Sequence, residues 1–318
     1  MNARHLPAAL LAAALLLVAT TGWPQVGTAL PDQDRPVFSA KSELVVLHVS
    51  VTDGQGRYVR GLEKDAFRVI DGEPREIELF SGQDVPASIG VLIDNSGSMQ
   101  PSRDRVVAAA LTFAQTSHPD DELFVLTFNE HVRHAWGPAV VSRTDPAVFK
   151  AAVARSITAA GMTAIHDGIV EGLRRVGRGV HTRQALVVIS DGDDNASTAK
   201  EADVIKLVHD SDATIYAVGL TDPVTRHGNP GLLRRLTTAT GGSLFQPRQV
   251  TDVPAALQRI ALDIRSAYTL AYSPGATAPT GARRMIRVEA RSPDGRRLTV
   301  RTRDGYFLKT IAAGPGHD

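Results

Sequence analysis

The sequence predicts an α/β protein built on a doubly wound, mostly parallel sheet in the strand order 3-2-1-4-5-6, with an antiparallel strand 3 at one edge. Short, nearly unbroken apolar runs are typical of strands buried on both faces. Segments with helical spacing lie between these runs, and this alternation favours a parallel sheet. Strands with alternating apolar and polar residues lie near both ends of the chain, so we expect the α/β domain to be inserted between two β segments. The apolar runs are Ile89–Ile93, Leu123–Phe128, Ala185–Ile189 and Ile215–Val218.

The composition excludes several classes of protein. The chain has 318 residues, and its 35 Lys and Arg against 34 Asp and Glu leave a formal net charge of +1, which argues against a nucleic-acid partner. A hydrophobic fraction of 43% is that of a globular protein rather than a disordered chain. Because there is no cysteine, disulfide scaffolds, thiolate metal sites and thiol catalysis are excluded. Any metal must therefore be held by oxygen or imidazole ligands.

Residues 1–29 have the pattern of a secretory signal peptide. A basic start at Arg4 precedes the apolar run Leu6–Val18, and Gly27–Ala29 offers small residues for cleavage after Ala29. The alternative, an uncleaved membrane anchor, is disfavoured because about 13 apolar residues fall short of the roughly 20 that a spanning helix needs. We therefore predict a secreted or periplasmic protein with no membrane span after cleavage.

Two β segments flank the α/β domain. In the first segment, 38–83, alternate residues of Leu44–Val51 are apolar, and the turn Asp53-Gly54 follows. The second segment, 268–309, shows the same strand and turn chemistry and precedes a tail at 310–318. Neither segment has more than about four strands, and so few strands are only marginally stable alone. We expect the two segments to form one small β-sandwich.

The α/β domain is predicted over 86–267, and its last helix has the clearest pattern. Its apolar residues recur at intervals of four, three and four, behind Asp252 as the N-cap and with Pro254 in the first turn. We expect this apolar stripe to dock the helix on the sheet. The stripe consists of Val253, Leu257, Ile260 and Ile264.

Candidate metal chemistry begins where the first buried strand ends. Asp94, Ser96 and Ser98 occupy alternate positions of the loop 94–99, and alternate side chains in such a loop can converge on one point. A hard divalent cation prefers oxygen ligands, and Mg²⁺ takes six of them. By itself the pattern is weak, because an Asx or Ser turn that caps the next helix has the same composition.

A second loop strengthens this interpretation. Ser190-Asp191-Gly192 follows the apolar run that is counted as strand 4, and strands 1 and 4 are neighbours in the predicted order. Because ligands bind at the carboxyl ends of such strands, topology alone brings Asp94 and Asp191 together. Thr163, at the start of the helix that leads into strand 4, adds a hydroxyl from a third loop.

These residues resemble the metal-ion-dependent adhesion site of the von Willebrand factor type A domain family. All five positions of the motif are present, and the similarity covers roughly Ala87–Ala267. The outer segments resemble the flanks of a bacterial group of such proteins. The resemblance implies a Rossmann-like domain that binds protein ligands through a divalent cation. It also implies Ser96, Ser98 and Thr163 as direct ligands, with Asp94 and Asp191 binding through water or hydrogen bonds.

The neutral hydroxyls determine which ligand the site should attract. They leave most of the charge of a bound Mg²⁺, Mn²⁺ or Ca²⁺ ion uncompensated, so the ion still attracts an anion from outside. An Asp or Glu carboxylate of a protein ligand is the expected sixth ligand. We therefore predict a non-enzymatic, exported protein-binding module.

A metal-assisted hydrolase acting outside the cytoplasm is the alternative. In it the ion would activate water or a phosphoryl oxygen, and a general base beside the metal would be needed. Within the motif only Asp193 and Asp194 are candidates for that base. The phosphate-binding loop, the nucleophile elbow and the zinc-binding helix of familiar enzymes are absent from the sequence. An EF-hand at 191–202 is excluded because Ala196 and Ala202 stand where Gly and Glu are required.

Histidines and arginines outside the motif are interpreted as surface residues. His166 follows Thr163 by three residues and could reach the cation, but a surface position in the first helical turn is favoured. A zinc pair at His131 and His134 is disfavoured, since residues three apart on a strand point to opposite faces.

Eight arginines near the C-terminus are expected on a solvated sandwich face, with binding of an anionic polymer such as lipopolysaccharide as the alternative. They are Arg283, Arg284, Arg287, Arg291, Arg296, Arg297, Arg301 and Arg303.

Overall fold

The structure, a computed structural model, describes residues 44–220, 228–274 and 283–307. The predicted signal peptide at 1–29 and the predicted tail at 310–318 lie outside these described residues. Within the described ranges, no helix is both long enough and apolar enough to cross a membrane.

A six-stranded sheet forms the centre of the α/β domain. Its strands are β5 (Ala87–Asp94), β6 (Glu122–Phe128), β7 (Val132–Val140), β8 (Arg183–Ser190), β9 (Thr214–Gly219) and β10 (Leu244–Phe245). They lie in the order β10-β9-β8-β5-β6-β7, and all neighbours are parallel except β6 and β7. Counted from β5 as strand 1, this is the predicted order 3-2-1-4-5-6 with an antiparallel strand 3 at the edge. The predicted fold class is confirmed.

Among the described residues, six helices cover the two faces of this sheet. They are α1 (Arg103–Thr116), α2 (Pro146–Ser156), α3 (Ile165–Val176), α4 (Glu201–Asp210), α5 (Pro230–Thr240) and α6 (Val253–Ser266). Alternate side chains of a strand point to opposite faces. Ile93 therefore packs in the layer of α1, α2 and α6, whereas Leu92 packs in the layer of α3, α4 and α5. Both faces of the central strands are buried, which explains their unbroken apolar runs.

Strands from the two flanking segments pair with each other. The first segment contains β1 (Val45–Thr52), β2 (Phe67–Asp71), β3 (Glu73–Arg75) and β4 (Leu79–Ser81). The second contains β11 (Tyr268–Tyr272), β12 (Arg283–Met285), β13 (Arg287–Ala290), β14 (Thr299–Arg301) and β15 (Gly305–Phe307). β1 lies between β11 and β14, and β2 pairs with β13. One hydrophobic cluster contains residues of both segments, among them Leu47, Val49, Leu270 and Tyr306.

A buried carboxylate also joins the two segments. Asp71, the last residue of β2, is 1% exposed, and its Oδ2 accepts hydrogen bonds from the hydroxyls of Tyr306 at 2.8 Å and Tyr272 at 3.1 Å. Arg284 of β12 donates from Nε to Oδ1 at 2.7 Å. Because a buried charge must be paired and hydrogen-bonded to be tolerated, Asp71 links its segment to three strands of the other segment.

The prediction of a solvated arginine face is wrong for three of its eight members. Their ion pairs are Arg284–Asp71 at 2.7 Å, Arg301–Asp263 at 2.6 Å and Arg303–Asp212 at 2.9 Å. Asp71 and Asp263 are buried, and Arg284, Arg301 and Arg303 are themselves largely covered. A cluster of arginines in the sequence does not show which of them turn toward acidic residues of another element.

The last helix, α6, is docked as its apolar stripe predicts, since all four stripe residues are buried. Asp252 is its N-cap residue, but the Asp252 side chain makes no capping hydrogen bond. At the other end, the guanidinium of Arg183 donates to the carbonyls of Ile264 at 3.1 Å and Ala267 at 2.8 Å. A cation is favourable there because the C-terminus of a helix carries partial negative charge.

Candidate metal centre

Asp94 and Asp191 lie together at the carboxyl edge of the central sheet. Asp94 is the last residue of β5, and β5 pairs in parallel with β8, which Asp191 follows directly. Ser190 Oγ donates to Asp94 Oδ2 at 2.6 Å across these two strands. The loops after strands 1 and 4 are therefore adjacent, as the strand order predicts.

The hydroxyls of the first loop connect to Asp191. Ser98 Oγ donates to Asp191 Oδ2 at 2.8 Å, and Ser96 Oγ lies 3.1 Å from Ser98 Oγ. Because the single proton of the Ser98 hydroxyl is directed at the carboxylate, its lone pairs are left for other interactions. Ser96 is only 2% exposed whereas Ser98 is exposed, so this chain of oxygens runs from the interior to the surface.

Asp94 is the most enclosed member of this group. It is 0% exposed, and its Oδ1 accepts the backbone N–H of Ser96 at 2.9 Å. Burial raises the pKa of Asp94 to about 6, against hydrogen bonds from Ser190 and Ser96 that favour the carboxylate form. The charge of Asp191 raises this pKa further. A cation at this edge would favour the ionised form of both carboxyl groups.

The loop that contains Thr163 is joined to the other two loops by hydrogen bonds of its backbone groups. The N–H of Thr163 donates to Asn195 Oδ1 at 2.7 Å, and its carbonyl accepts the N–H groups of Asn195 at 2.9 Å and Ala196 at 3.0 Å. On the side of the first loop, the N–H of Gly97 donates to the carbonyl of Gly161 at 3.1 Å. The third loop therefore bridges the other two. Asn195 positions Thr163, a role that the sequence interpretation missed.

Asn95, inside the first loop, holds the beginning of the third loop. Its Oδ1 accepts the N–H of Ala159 at 2.6 Å, and its Nδ2 donates to Thr158 Oγ1 at 3.2 Å. Its carbonyl also accepts the N–H of Ala160 at 2.9 Å. Ala159 has a φ of 51°, the one positive φ at a non-glycine position among the described residues. Alanine rarely adopts this conformation, so the hydrogen bonds of Asn95 hold a strained segment beside the site.

His166 is buried, and the prediction that it lies on the surface is wrong. It is 8% exposed, and its Nδ1 lies 3.3 Å from Asp194 Oδ2 and 3.2 Å from the carbonyl oxygen of Ala199. Its backbone N–H donates to Ser197 Oγ at 3.1 Å. The loop that follows β8 packs against the first turn of α3, and helical spacing alone does not reveal that contact.

The oxygen atoms at this edge fit a hard divalent cation. Hydroxyls and carboxylates are the donors that such a cation prefers. Within the described ranges, no group of three or more His, Cys, Asp or Glu is placed to hold a metal, so a cation here would depend on hydroxyls. Asp94 and Asp191 each accept hydrogen bonds on both carboxylate oxygens, which suits residues that orient water or hydroxyl ligands.

Comparisons with known proteins identify the family. A family model described as "von Willebrand factor type A domain" matches residues 88–259, and no curated protein matches the chain. Among solved structures, a von Willebrand factor type A protein from Catenulispora acidiphila is 13% identical with a TM-score of 0.49, over 84% of this chain and 74% of that one. Proximal thread matrix protein 1 from the mussel byssus is 14% identical with a TM-score of 0.47. In that structure zinc occupies the metal-ion-dependent adhesion site (MIDAS) motif. That match covers 63% of this chain and 50% of the mussel protein, so the chain spans half of its length.

An aerotolerance-related membrane protein from Bacteroides fragilis is 15% identical with a TM-score of 0.44, over 56% of this chain and 98% of that one. The family model begins at the second residue of β5 and ends within α6, so its match contains the central sheet and all three loops described above. Since this match covers more than half of the residues, the chain belongs to the von Willebrand factor type A domain family.

Proposed function

We propose that this protein is an exported, non-enzymatic binding module that captures a carboxylate of a protein ligand through a divalent cation. The hydroxyls of Ser96, Ser98 and Thr163 would hold Mg²⁺ or Mn²⁺, and Asp94 and Asp191 would act through water or hydrogen bonds. The observation that carries the proposal is the chain of oxygens from Ser96 through Ser98 to Asp191, at the edge where β5 and β8 end.

The charge of this donor set favours an anionic ligand. Three neutral hydroxyls leave much of the +2 charge of the cation uncompensated, so a carboxylate from outside completes the coordination. Ser98 is exposed, which leaves an approach for that carboxylate. Membership of the type A domain family supports a protein as the source of the carboxylate, because domains of this family generally bind proteins.

Binding is favoured over hydrolysis because one of the two candidate bases, Asp194, already has a structural role. Asp194 accepts a hydrogen bond from Ser197 Oγ and lies 3.3 Å from His166 Nδ1. These contacts tie the loop after β8 to α3. A base that must accept a proton from water would have to leave this arrangement.

Export and the domain limits belong to the same proposal. The pattern of residues 1–29 supports export, and the pairing of β1 with β11 and β14 supports a sandwich built from 38–83 and 268–309 around the domain 86–267. N-terminal sequencing of the protein from its host should find Leu30 as the first residue. An intact N-terminus in the cytoplasm would contradict export.

Isothermal titration calorimetry with Mg²⁺, Mn²⁺ and Ca²⁺ tests the metal centre. We expect micromolar to millimolar dissociation constants, since oxygen sites of low charge bind weakly. Ser98→Ala should weaken binding about tenfold or more, because it removes a ligand and the hydrogen bond to Asp191. Ser142→Ala, which changes an exposed serine just after β7, is the matched control. Absence of heat, or equal heat in Ser98→Ala and wild type, would sink the proposed centre.

The protein ligand can be sought by a pull-down from envelope extract. Wild-type protein should retain the ligand with Mg²⁺ and release it with a chelator. Ser98→Ala should not retain it under either condition, whereas Ser142→Ala should behave as wild type. Retention that is equal with Mg²⁺ and with chelator would contradict capture through the cation.

A further inference from the structure

A cavity beside the proposed metal centre is lined by basic and polar residues. Its volume is about 310 Å³, which lies in the range of sites that accept small ligands or side chains. Asn95, which lies between Asp94 and Ser96 in the first loop, forms part of its wall, so the cavity adjoins the proposed centre. None of its lining residues is acidic. They are Asn95, Asn129, Arg133, His134, Arg155, Ser156 and Thr158.

The two arginines of this cavity form no ion pair with any described residue. Arg133 lies near the start of β7 and Arg155 in the last turn of α2, and both are exposed. Within the described part of the chain, neither side chain makes a hydrogen bond or an ion pair. Glu130 makes only a weak electrostatic interaction with Arg133, and its Oε1 accepts the N–H of Met162 at 2.7 Å. Arg133 and Arg155 therefore line one cavity whose other lining residues carry no negative charge.

Hydrogen bonds hold the wall of the cavity in place. Asn95 is 3% exposed, and its amide bonds to Thr158 and to the backbone of Ala159. Asn129 Nδ2 donates to the carbonyl of Ala160 at 3.1 Å. Both asparagines follow strands at the edge where the metal is proposed to bind, since β5 ends at Asp94 and β6 ends at Phe128. Because these asparagine side chains are already held in place, they need little further ordering when a ligand binds.

We propose that this arginine cavity is a second anion site, which accepts an acidic side chain of the protein ligand next to the carboxylate captured by the cation. Guanidinium groups bind carboxylates through two parallel hydrogen bonds, and their charge also attracts an acidic segment from a distance. The ligand is thus a protein segment with two acidic residues close together. The assignment of the first carboxylate rests on the proposed function, but anion binding in the cavity does not require the metal.

A metal-free titration tests the cavity independently of the metal centre. Labelled protein in chelator is titrated with sodium sulfate and, separately, with sodium chloride at matched ionic strength, and NMR follows the side-chain N–H signals of Arg133 and Arg155 and the amide of Thr158. Saturable shifts with sulfate alone are expected in wild type. They should persist in Ser98→Ala and disappear in Arg133→Gln/Arg155→Gln. Equal shifts with both salts, or shifts that survive in the double variant, would overturn the proposal.

Arg143→Gln is the matched control for charge. Arg143 is an exposed arginine in the short helix after β7, at the amino end of β6, which is the opposite edge of the sheet. This variant should keep the sulfate shifts of wild type. Because the two cavity arginines are exposed and form no ion pair among the described residues, the double variant is expected to fold, and its core amide signals verify that it does.

Synthetic peptides then test the pairing of two acidic groups. One peptide carries a single Asp, and four others add a Glu one to four residues after that Asp. With Mg²⁺, we expect at least one two-acid peptide to bind wild type about fivefold more tightly than the one-acid peptide. That advantage should be lost in Arg133→Gln/Arg155→Gln and kept in Arg143→Gln.

The two experiments separate failure of this inference from failure of the proposed function. If all peptides bind equally and all require Mg²⁺, the second anion site is wrong and the metal-dependent function stands. If no peptide responds to Mg²⁺, the proposed function fails, and the sulfate titration alone decides whether the cavity binds anions.

Discussion

Asp263 of α6 and Arg301 of β14 form an ion pair in which Oδ2 and Nη2 are 2.6 Å apart. Asp263 is 0% exposed, and its other oxygen accepts the hydroxyl of Ser50 at 2.5 Å. Ser50 lies in β1, so one carboxylate connects the α/β domain to both flanking segments. The cost of burying this charge is offset only while both partners remain in place.

Removal of this carboxylate should therefore destabilise the protein strongly. Asp263→Ala leaves Arg301 largely buried without its partner, and we expect a loss of about 3 kcal/mol in the free energy of unfolding. Urea unfolding measures it. The control is Asp294→Ala in the exposed pair Arg296–Asp294, whose side chains are 81% and 54% exposed and where a loss below about 1 kcal/mol is expected. Equal losses would show that the buried pair does not stabilise the junction.

The hydroxyls around Asp71 should stabilise the paired β segments. Tyr306→Phe removes one donor to the buried carboxylate, and we expect a loss of about 1 kcal/mol in the free energy of unfolding. Asp71→Ala should cost about 3 kcal/mol, because Arg284 then loses its partner. Urea unfolding compares both with Glu76→Ala, a change of an exposed carboxylate in the same segment. Wild-type stability in Asp71→Ala would contradict a structural role for the cluster.

Asn195→Ala should weaken metal binding although Asn195 is not a proposed ligand. Its side chain holds the N–H of Thr163, and loss of such a positioning contact typically costs about tenfold in metal affinity. Calorimetry with Mg²⁺ measures the effect, and Gln83→Ala, which changes an exposed amide in the first β segment, is the control. An unchanged dissociation constant in Asn195→Ala would mean that the Thr163 loop keeps its position without this hydrogen bond.

His48 of β1 should make stability depend on pH. Its Nε2 is enclosed and has no hydrogen-bond partner among the residues that the structure describes. Burial, followed by the charge of Arg183, lowers the pKa of His48 from 6.5 to about 4. Between these values the unfolded chain binds more protons than the folded protein, so stability should fall as the pH falls from about 6.5 to about 4.

The test is urea unfolding at several pH values within this window. The stability of His48→Gln should decrease less steeply than that of wild type, by at most about 1.4 kcal/mol per pH unit. His131→Gln, which changes an exposed histidine, should follow the wild-type curve. Parallel curves for His48→Gln and wild type would show that His48 titrates normally.

The last helix should remain in place when a metal binds. The other possibility is a helix that shifts and transmits binding to the β segments. The end of α6 is held by Asp263 and by the contacts of Arg183 with the carbonyls of Ile264 and Ala267. A cation can move such a helix only by favouring a second position. Hydrogen exchange of the α6 amides should therefore change by less than about twofold on addition of Mg²⁺. Selective loss of protection in α6 would instead indicate coupling.

The sequence by itself predicts the central sheet and the meeting of Asp94 with Asp191. Both follow from local regularities: a strand buried on both faces is apolar throughout, and the order of parallel strands follows general rules for α/β proteins. The loops after β5 and β8 therefore have a predictable place before any side chain is positioned. The burial of the apolar stripe of α6 can also be predicted from nearby residues, since helical spacing determines which face of the helix is buried.

Tertiary structure alone decides which polar side chains become partners. Three such pairs lie 28 or more residues apart along the chain: Asn195 with Thr163, Asp194 with His166 and Arg301 with Asp263. No periodicity in the sequence encodes such pairs. Hydrogen bonds and ion pairs form between groups that are close in space, and that closeness depends on how the loops and β segments pack. For the same reason, only the folded chain brings Arg133 of β7 and Arg155 of α2 to one cavity.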